Sequence, residues 1–321
     1  MAEGGYGKTI LFNEHFVVYG IPAIASAIND QTTAEVELTD DLTPSGNEGS
    51  MAGEGWVLED NREANPGYKE KKLEQQKDSI KRVLKAVDFD TTDKNIKITV
   101  NGNLKAVGGV GASAAICVAV ARALNRKFDL DFDDEKINEI AYEGEKAYAG
   151  TPSGIDNTAS TFGGLIWFEK TDEGSKIDRL SLENPVEIVL GNTGLTTDTA
   201  KAVAGVKERK EKNPEKYNKL FEQARNLVGK AKEELLNSNF KEVGKLMNKN
   251  HTLLKAIEVS HPKLDELVDI ARENGAYGAK MTGGGLGGYM LALTPGKELQ
   301  DKVAEAMEEA GYEALKTKIG V

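Results

Sequence analysis

Short runs of β-branched and aromatic residues alternate along the chain with longer amphipathic stretches. KTILF (8–12), TTAEVEL (32–38), IKITV (96–100) and GLIWF (164–168) predict strands. Apolar residues at helical spacing predict helices near 71–87, 112–126 and 134–148. Between them, DDLTPSGNEGSMAGEG (40–55) has the composition of an exposed loop. After VEIVLGNTG (186–194) the period changes, and 195–275 reads as nearly continuous helix broken at Pro214, NSNF (237–240) and SHP (260–262). GGYMLALT (287–294), a helix near 298–310 and YEALKTKI (312–319) restore the mixed pattern. The expectation is an α+β fold in two lobes, residues 1–185 and 186–321.

Composition narrows the partners. A net charge of -11 supplies no basic footprint for nucleic acid. No apolar run approaches the roughly 20 residues of a membrane span, and the N-terminus lacks a signal-peptide pattern, so no membrane partner and a cytoplasmic location are expected. The single cysteine, Cys117, lies inside an apolar helix pattern and reads as a small buried side chain. His15, His251 and His261 have no metal-ligand spacing.

Chemistry concentrates in four segments. AVGGVGASAAICVAVARAL (106–124) runs from a glycine-rich turn into a helix, where backbone amides and the helix dipole favour an anion, with Ser113 available to a phosphate oxygen or its metal. Gly109, Gly111 and Ala114 also satisfy the dinucleotide fingerprint, which keeps an NAD-dependent oxidoreductase as an alternative; the long NGNLKA connection after the strand weighs against it. GGYGKT (4–9) fails as a P-loop, because Ala2 stands at the first glycine position and a strand follows. GKTILFNEHFVVYG (7–20) places Lys8, Glu14, His15 and Tyr19 around a strand and its turn. YEGEKAYAGTPSGIDNTASTFGG (142–164) puts Glu143 and Glu145 at a helix end and Asp156 in the loop after it, so that one carboxylate can hold a metal and another handle a proton. GAYGAKMTGGGLGGYMLAL (275–293) carries a second glycine cluster that leads into a strand, which suits close approach to a ligand or another loop.

In chain order, 7–20, 106–124, 142–164 and 275–293, the four segments resemble the GHMP kinase superfamily of small-molecule kinases, and ILFNEHFVVYG and GEKAYAGTPSGIDNTASTFGG are most similar to its mevalonate kinase family. The resemblance implies a ribosomal protein S5 domain 2-like N-terminal lobe and a ferredoxin-like C-terminal lobe. It implies that the loop of Gly108, Gly109, Val110, Gly111, Ala112, Ser113 and Ala114 cradles the ATP phosphates, and that Ser113 and Glu145 ligate Mg²⁺. Asp156 would face the attacking 5-hydroxyl of mevalonate with Lys8 beside it, as base or as orienting group. Glu14 would order the nucleotide side of the site, His15 would contact the substrate, and Thr193 or Thr197 would line its far end. A homodimer is also implied, and phosphomevalonate or a sugar is the alternative acceptor. The chain departs from the family pattern at Asn13 for glycine, Ala112 for serine and Ala149 for histidine, and no proline opens the phosphate loop.

Overall fold

The computed structural model describes residues 4–90, 94–171, 174–195 and 199–321. The chain forms two compact units that interleave in sequence: Met1–Lys8 with Ile28–Gly163, and Thr9–Ala27 with Gly164–Val321. The sequence pattern places a boundary near residue 185, whereas compact packing divides the chain at Gly163 and hands Thr9–Ala27 to the second unit. Two strands pass between the units: β1 (Gly5–Phe12) crosses after Lys8 and β2 (Ala23–Leu38) after Ala27.

In the first unit, β2 continues into β3 (Ser50–Gly53) and β4 (Trp56–Asp60), followed by α1 (Tyr68–Ala86), β5 (Ile96–Gly102), α2 (Ala112–Phe128), α3 (Asp134–Ala149) and α4 (Ile155–Phe162). The sheet order is β3-β4-β5-β2, with β4 and β5 parallel and the other two pairs antiparallel. Ile96, Ile98 and Val100 point from β5 into a core shared with Trp56, Leu58, Ile80, Val83 and the apolar length of α2. The one parallel unit among the described residues, β4-α1-β5, ends before the glycine loop. The α2 that follows the loop leads to α3 and α4 and then to the strand Leu165–Thr171, which pairs with β2 and with Gly174–Leu180 instead of with β5. The fingerprint therefore does not open a parallel crossover, and the oxidoreductase alternative fails on topology.

Residues 40–55 are not all exposed loop: Glu54 and Gly55, the latter at φ 71°, make a tight turn that pairs β3 with β4, and Met51 is buried. Asp156 is not in a loop but in the first turn of α4, whose small polar residues disguise it as coil. Its start at Gly154, with φ 89°, leaves no side-chain cap to be read from sequence.

The second unit holds β6 (Leu165–Thr171), β7 (Gly174–Leu180), β8 (Val186–Asn192), α5 (Thr199–Lys212), α6 (Pro214–Leu236), α7 (Phe240–Ala256), α8 (Pro262–Glu273), β9 (Gly278–Met281), β10 (Tyr289–Leu293), α9 (Lys297–Glu309) and β11 (Glu313–Ile319). β11, β8, β10 and β9 form an antiparallel sheet covered by α8 and α9, while β6 pairs with β7 and with Ala23–Ser26. The long helical pattern resolves into α5 to α8, with Pro214 and Pro262 each at a helix start, where a missing N–H is harmless. Among the described residues, no helix is long and apolar enough to cross a membrane.

Candidate active site

Gly111 ends the glycine loop at φ 76°, a left-handed conformation, and the α2 helix begins at the next residue without a side-chain cap. A Cβ on Gly111 would stand 3.1 Å from the backbone nitrogen and Cβ of Lys8, and the Lys8 N–H donates to the Val110 carbonyl at 2.8 Å. The loop therefore lies directly on β1 at Lys8. From the other side, Ser160 of α4 donates its hydroxyl to the Tyr6 carbonyl at 2.7 Å, which fastens α4 to the same strand. These two attachments bring Lys8 and Asp156 together: Nζ and Oδ1 are 2.7 Å apart, with the lysine side chain 11 % and the aspartate 34 % exposed. The more open partner is the one with room for an acceptor.

Glu145 projects from the last turns of α3 and is buried. Burial raises its pKa, to about 7, and the negative charge of Asp156 adds to the effect; the Ser113 hydroxyl bond and Lys8 pull the other way without prevailing. Its Oε1 has no hydrogen-bond partner among the described residues. Lys8, Ser113, Glu145 and Asp156, drawn from four elements, thus form one cluster at the start of α2, and Ser113 contacts a carboxylate instead of capping its helix.

In the second unit Glu14 forms a buried ion pair with Lys280 of β9, whose ammonium also donates to the Met281 carbonyl at 2.7 Å. Lys280 was not evident from sequence; its only signal is a lysine inside a four-residue strand whose other members are small or apolar. Asn13 adopts φ 70°, the backbone a glycine would take, and its amide donates to the Pro22 carbonyl at 2.8 Å while Asn250 donates to its Oδ1 at 3.0 Å. The departure from glycine keeps the turn and adds bonds to it. His15 Nε2–H donates to the Gly284 carbonyl at 3.0 Å; burial lowers its pKa against the opposing effect of that bond, with the charges of Lys280 and Arg209 adding to the lowering, which favours the neutral ring. Thr193 is engaged within its own loop: its hydroxyl donates to the Gly288 carbonyl at 2.9 Å and accepts the Leu195 N–H at 3.3 Å. Thr197 lies outside the described residues. The second glycine cluster passes close to other backbone, since a Cβ on Gly285 would meet the Val259 carbonyl oxygen at 2.3 Å. Cys117 is fully buried, 3.1 Å from the Ser79 hydroxyl, and burial raises its pKa far above the thiolate range.

The model of the GHMP kinases N terminal domain matches residues 78–164, and that of the GHMP kinases C terminal domain matches residues 231–313. The fold and this pair of matches define an ATP-dependent small-molecule kinase. The mevalonate kinase of Pyrococcus abyssi is 36% identical over 97% of this chain and 93% of its own length, and that of Pyrococcus furiosus is 37% identical over 97% and 94%. The crystal structure of L. major mevalonate kinase in complex with R-mevalonate superposes with a TM-score of 0.91 at 34% identity, covering 99% of this chain and 95% of that one. The galactokinase of Lactococcus lactis, at 20% identity and a TM-score of 0.69, shares the fold. The chain belongs to the mevalonate kinase family.

Proposed function

We propose that this protein transfers the γ-phosphoryl group of ATP to the 5-hydroxyl of mevalonate with Mg²⁺, and that Lys8, Ser113, Glu145 and Asp156 carry the reaction. The observation that supports this most is the Lys8–Asp156 pair, 2.7 Å apart, beside an open helix N-terminus in a chain of this family. Phosphoryl transfer asks for positioning and charge neutralisation, and the glycine-loop amides with the α2 dipole answer both for the β- and γ-phosphates. Lys8 neutralises charge at the transferred group. Asp156 accepts or orients the hydroxyl proton while the alcohol oxygen bonds to the γ-phosphorus and the bond to the β-phosphate oxygen breaks, releasing ADP.

The donor set fits Mg²⁺. Glu145 offers a buried oxygen without a partner, Ser113 a hydroxyl beside it, and a hard cation of this size takes one or two carboxylates and completes its shell with phosphate oxygens and water. When bound, the cation supplies charge neutralisation on the phosphates. Glu14, locked to Lys280, acts by holding β9 and the glycine segment after it. His15, Thr193 and Thr197 keep the acceptor-recognition role implied by the family, so His15→Ala should raise KM for the acceptor.

A panel assay with ATP, Mg²⁺ and mevalonate, phosphomevalonate, homoserine or galactose tests the acceptor, reading ADP and the phosphorylated product. Turnover of mevalonate alone is expected; turnover of another member without mevalonate overturns the substrate. Asp156→Ala should bind nucleotide normally and lose about 10²–10⁴-fold in kcat; a variant close to wild-type rate would remove Asp156 from the mechanism.

A further inference from the structure

β4 ends in Asp60, and two residues later Arg62 turns back to meet it, with both side chains almost wholly buried. The guanidinium grips the carboxylate at two points, Nε to Oδ1 at 2.9 Å and Nη2 to Oδ2 at 2.7 Å. Burial alone would raise the pKa of Asp60, but the bonds and charge of Arg62 outweigh it and hold the group below its usual value. Gln76 from α1 donates to the same carboxylate at 3.2 Å, and Lys69 donates to the Asp60 carbonyl at 2.7 Å. A buried ion pair is a poor way to gain stability, because desolvation offsets most of its attraction. What the pair does is aim the remaining nitrogen of Arg62. Nη1 donates to Thr32 Oγ1 at 3.0 Å and to the Ala112 carbonyl at 3.2 Å.

That carbonyl shares its peptide plane with the N–H of Ser113. The Ser113 amide lies in the first turn of α2, where amides have no partner within the helix and are free for an anion. Donation into the carbonyl fixes the plane and polarises it, so the N–H at its other edge becomes a stronger donor. Arg62 and Ser113 also line one cavity, of about 20 Å³, with Tyr68 and Tyr148. Resting on the reading of this loop as the triphosphate cradle, we infer that Arg62, aimed by Asp60, is a positioning residue that orients and strengthens the Ser113 amide for the nucleotide phosphates. It acts through the backbone at the position where Ala112 lacks the family's serine hydroxyl.

Calorimetry with the β,γ-imido analogue of ATP, steady-state kinetics and the amide NMR signal of Ser113 test this in the full chain. Arg62→Met should weaken the analogue about tenfold, as expected for one charge-assisted bond, shift the Ser113 amide proton upfield, and leave KM for mevalonate within about twofold. Arg62→Lys keeps the charge against Asp60 and so the fold, but one ammonium cannot hold both carboxylate oxygens and the Ala112 carbonyl; it should show a smaller loss of the same kind. Unchanged analogue affinity in a folded variant, or equal rises in both KM values, overturns the inference; if Arg62→Met does not fold, Arg62→Lys decides by the same criteria. Failure of the unaltered protein to bind the analogue or turn over mevalonate would instead overturn the proposed function.

Discussion

Glu145, as the Mg²⁺ ligand proposed above, would have proton and cation compete for one carboxylate. Its folded-state pKa, about 7, stands above the ordinary 4.5, so the folded chain holds the proton more tightly than the unfolded one. The stability from this group is complete below about pH 4.5 and lost as pH rises through about 7. In metal-free protein, the wild-type thermal midpoint should fall relative to Glu145→Gln across that interval. The Mg²⁺ concentration for half-maximal rate should rise as pH drops below about 7, because the proton competes for the same carboxylate. At this scale the sequence was informative where a residue type breaks its local pattern, as Lys8 does entering a strand and Ser113 does beside three glycines. Lys280 and Arg62 escaped because each matters through a partner far along the chain or a carbonyl that no motif records.

Elements with a strong period were legible, and those defined by neighbours were not. β1, β5, α2 and α3 follow their patterns closely, whereas β7 is a polar strand that, among the described residues, pairs with β6 alone, and α4 is eight residues of mostly small side chains. Packing between α2 and α3 leaves no space at Gly144, where an added Cβ would lie 2.6 Å from Cys117 Sγ. Gly144→Ala should therefore destabilise by about 1–3 kcal/mol despite the better helix propensity of alanine, and adding Cys117→Ala should recover part of it; chemical denaturation of the single and double variants measures both. β9 has its own acid sensitivity. His251 accepts the Met281 N–H at Nδ1, at 3.3 Å, with Nε2 facing Asp265 at 3.2 Å. Burial first, then Arg272, pushes its pKa down to about 4 from 6.5, so its contribution is full above about pH 6.5 and lost as pH falls through about 4. The protection factor of the Met281 amide, its exchange corrected for the intrinsic rate at each pH, should fall over that range in the wild type and be low throughout in His251→Ala.

Over the whole molecule, the sequence reading captured the mixed fold and the family but not the interleaving, since a boundary sought in composition cannot see that Thr9–Ala27 packs with residues beyond Gly163. The interleaving predicts how fragments behave. A chain of residues 164–321 contains Lys280 but not Glu14, leaving an ammonium with no exposure in the intact unit without its counter-charge. Removing one member of such a pair costs about 3–5 kcal/mol, so the fragment should lack cooperative unfolding by calorimetry, and supplying the Thr9–Ala27 segment covalently should restore it.

The same pair sets a schedule for synthesis. Glu14 is translated 266 residues before Lys280, an interval of roughly tens of seconds at about 5–20 residues per second. Until the lysine emerges from the ribosome, burying that carboxylate would strip its hydration without the ammonium that offsets the loss. The turn that carries Glu14 is therefore expected to stay hydrated until β9 is made, and the second unit to close around it only then.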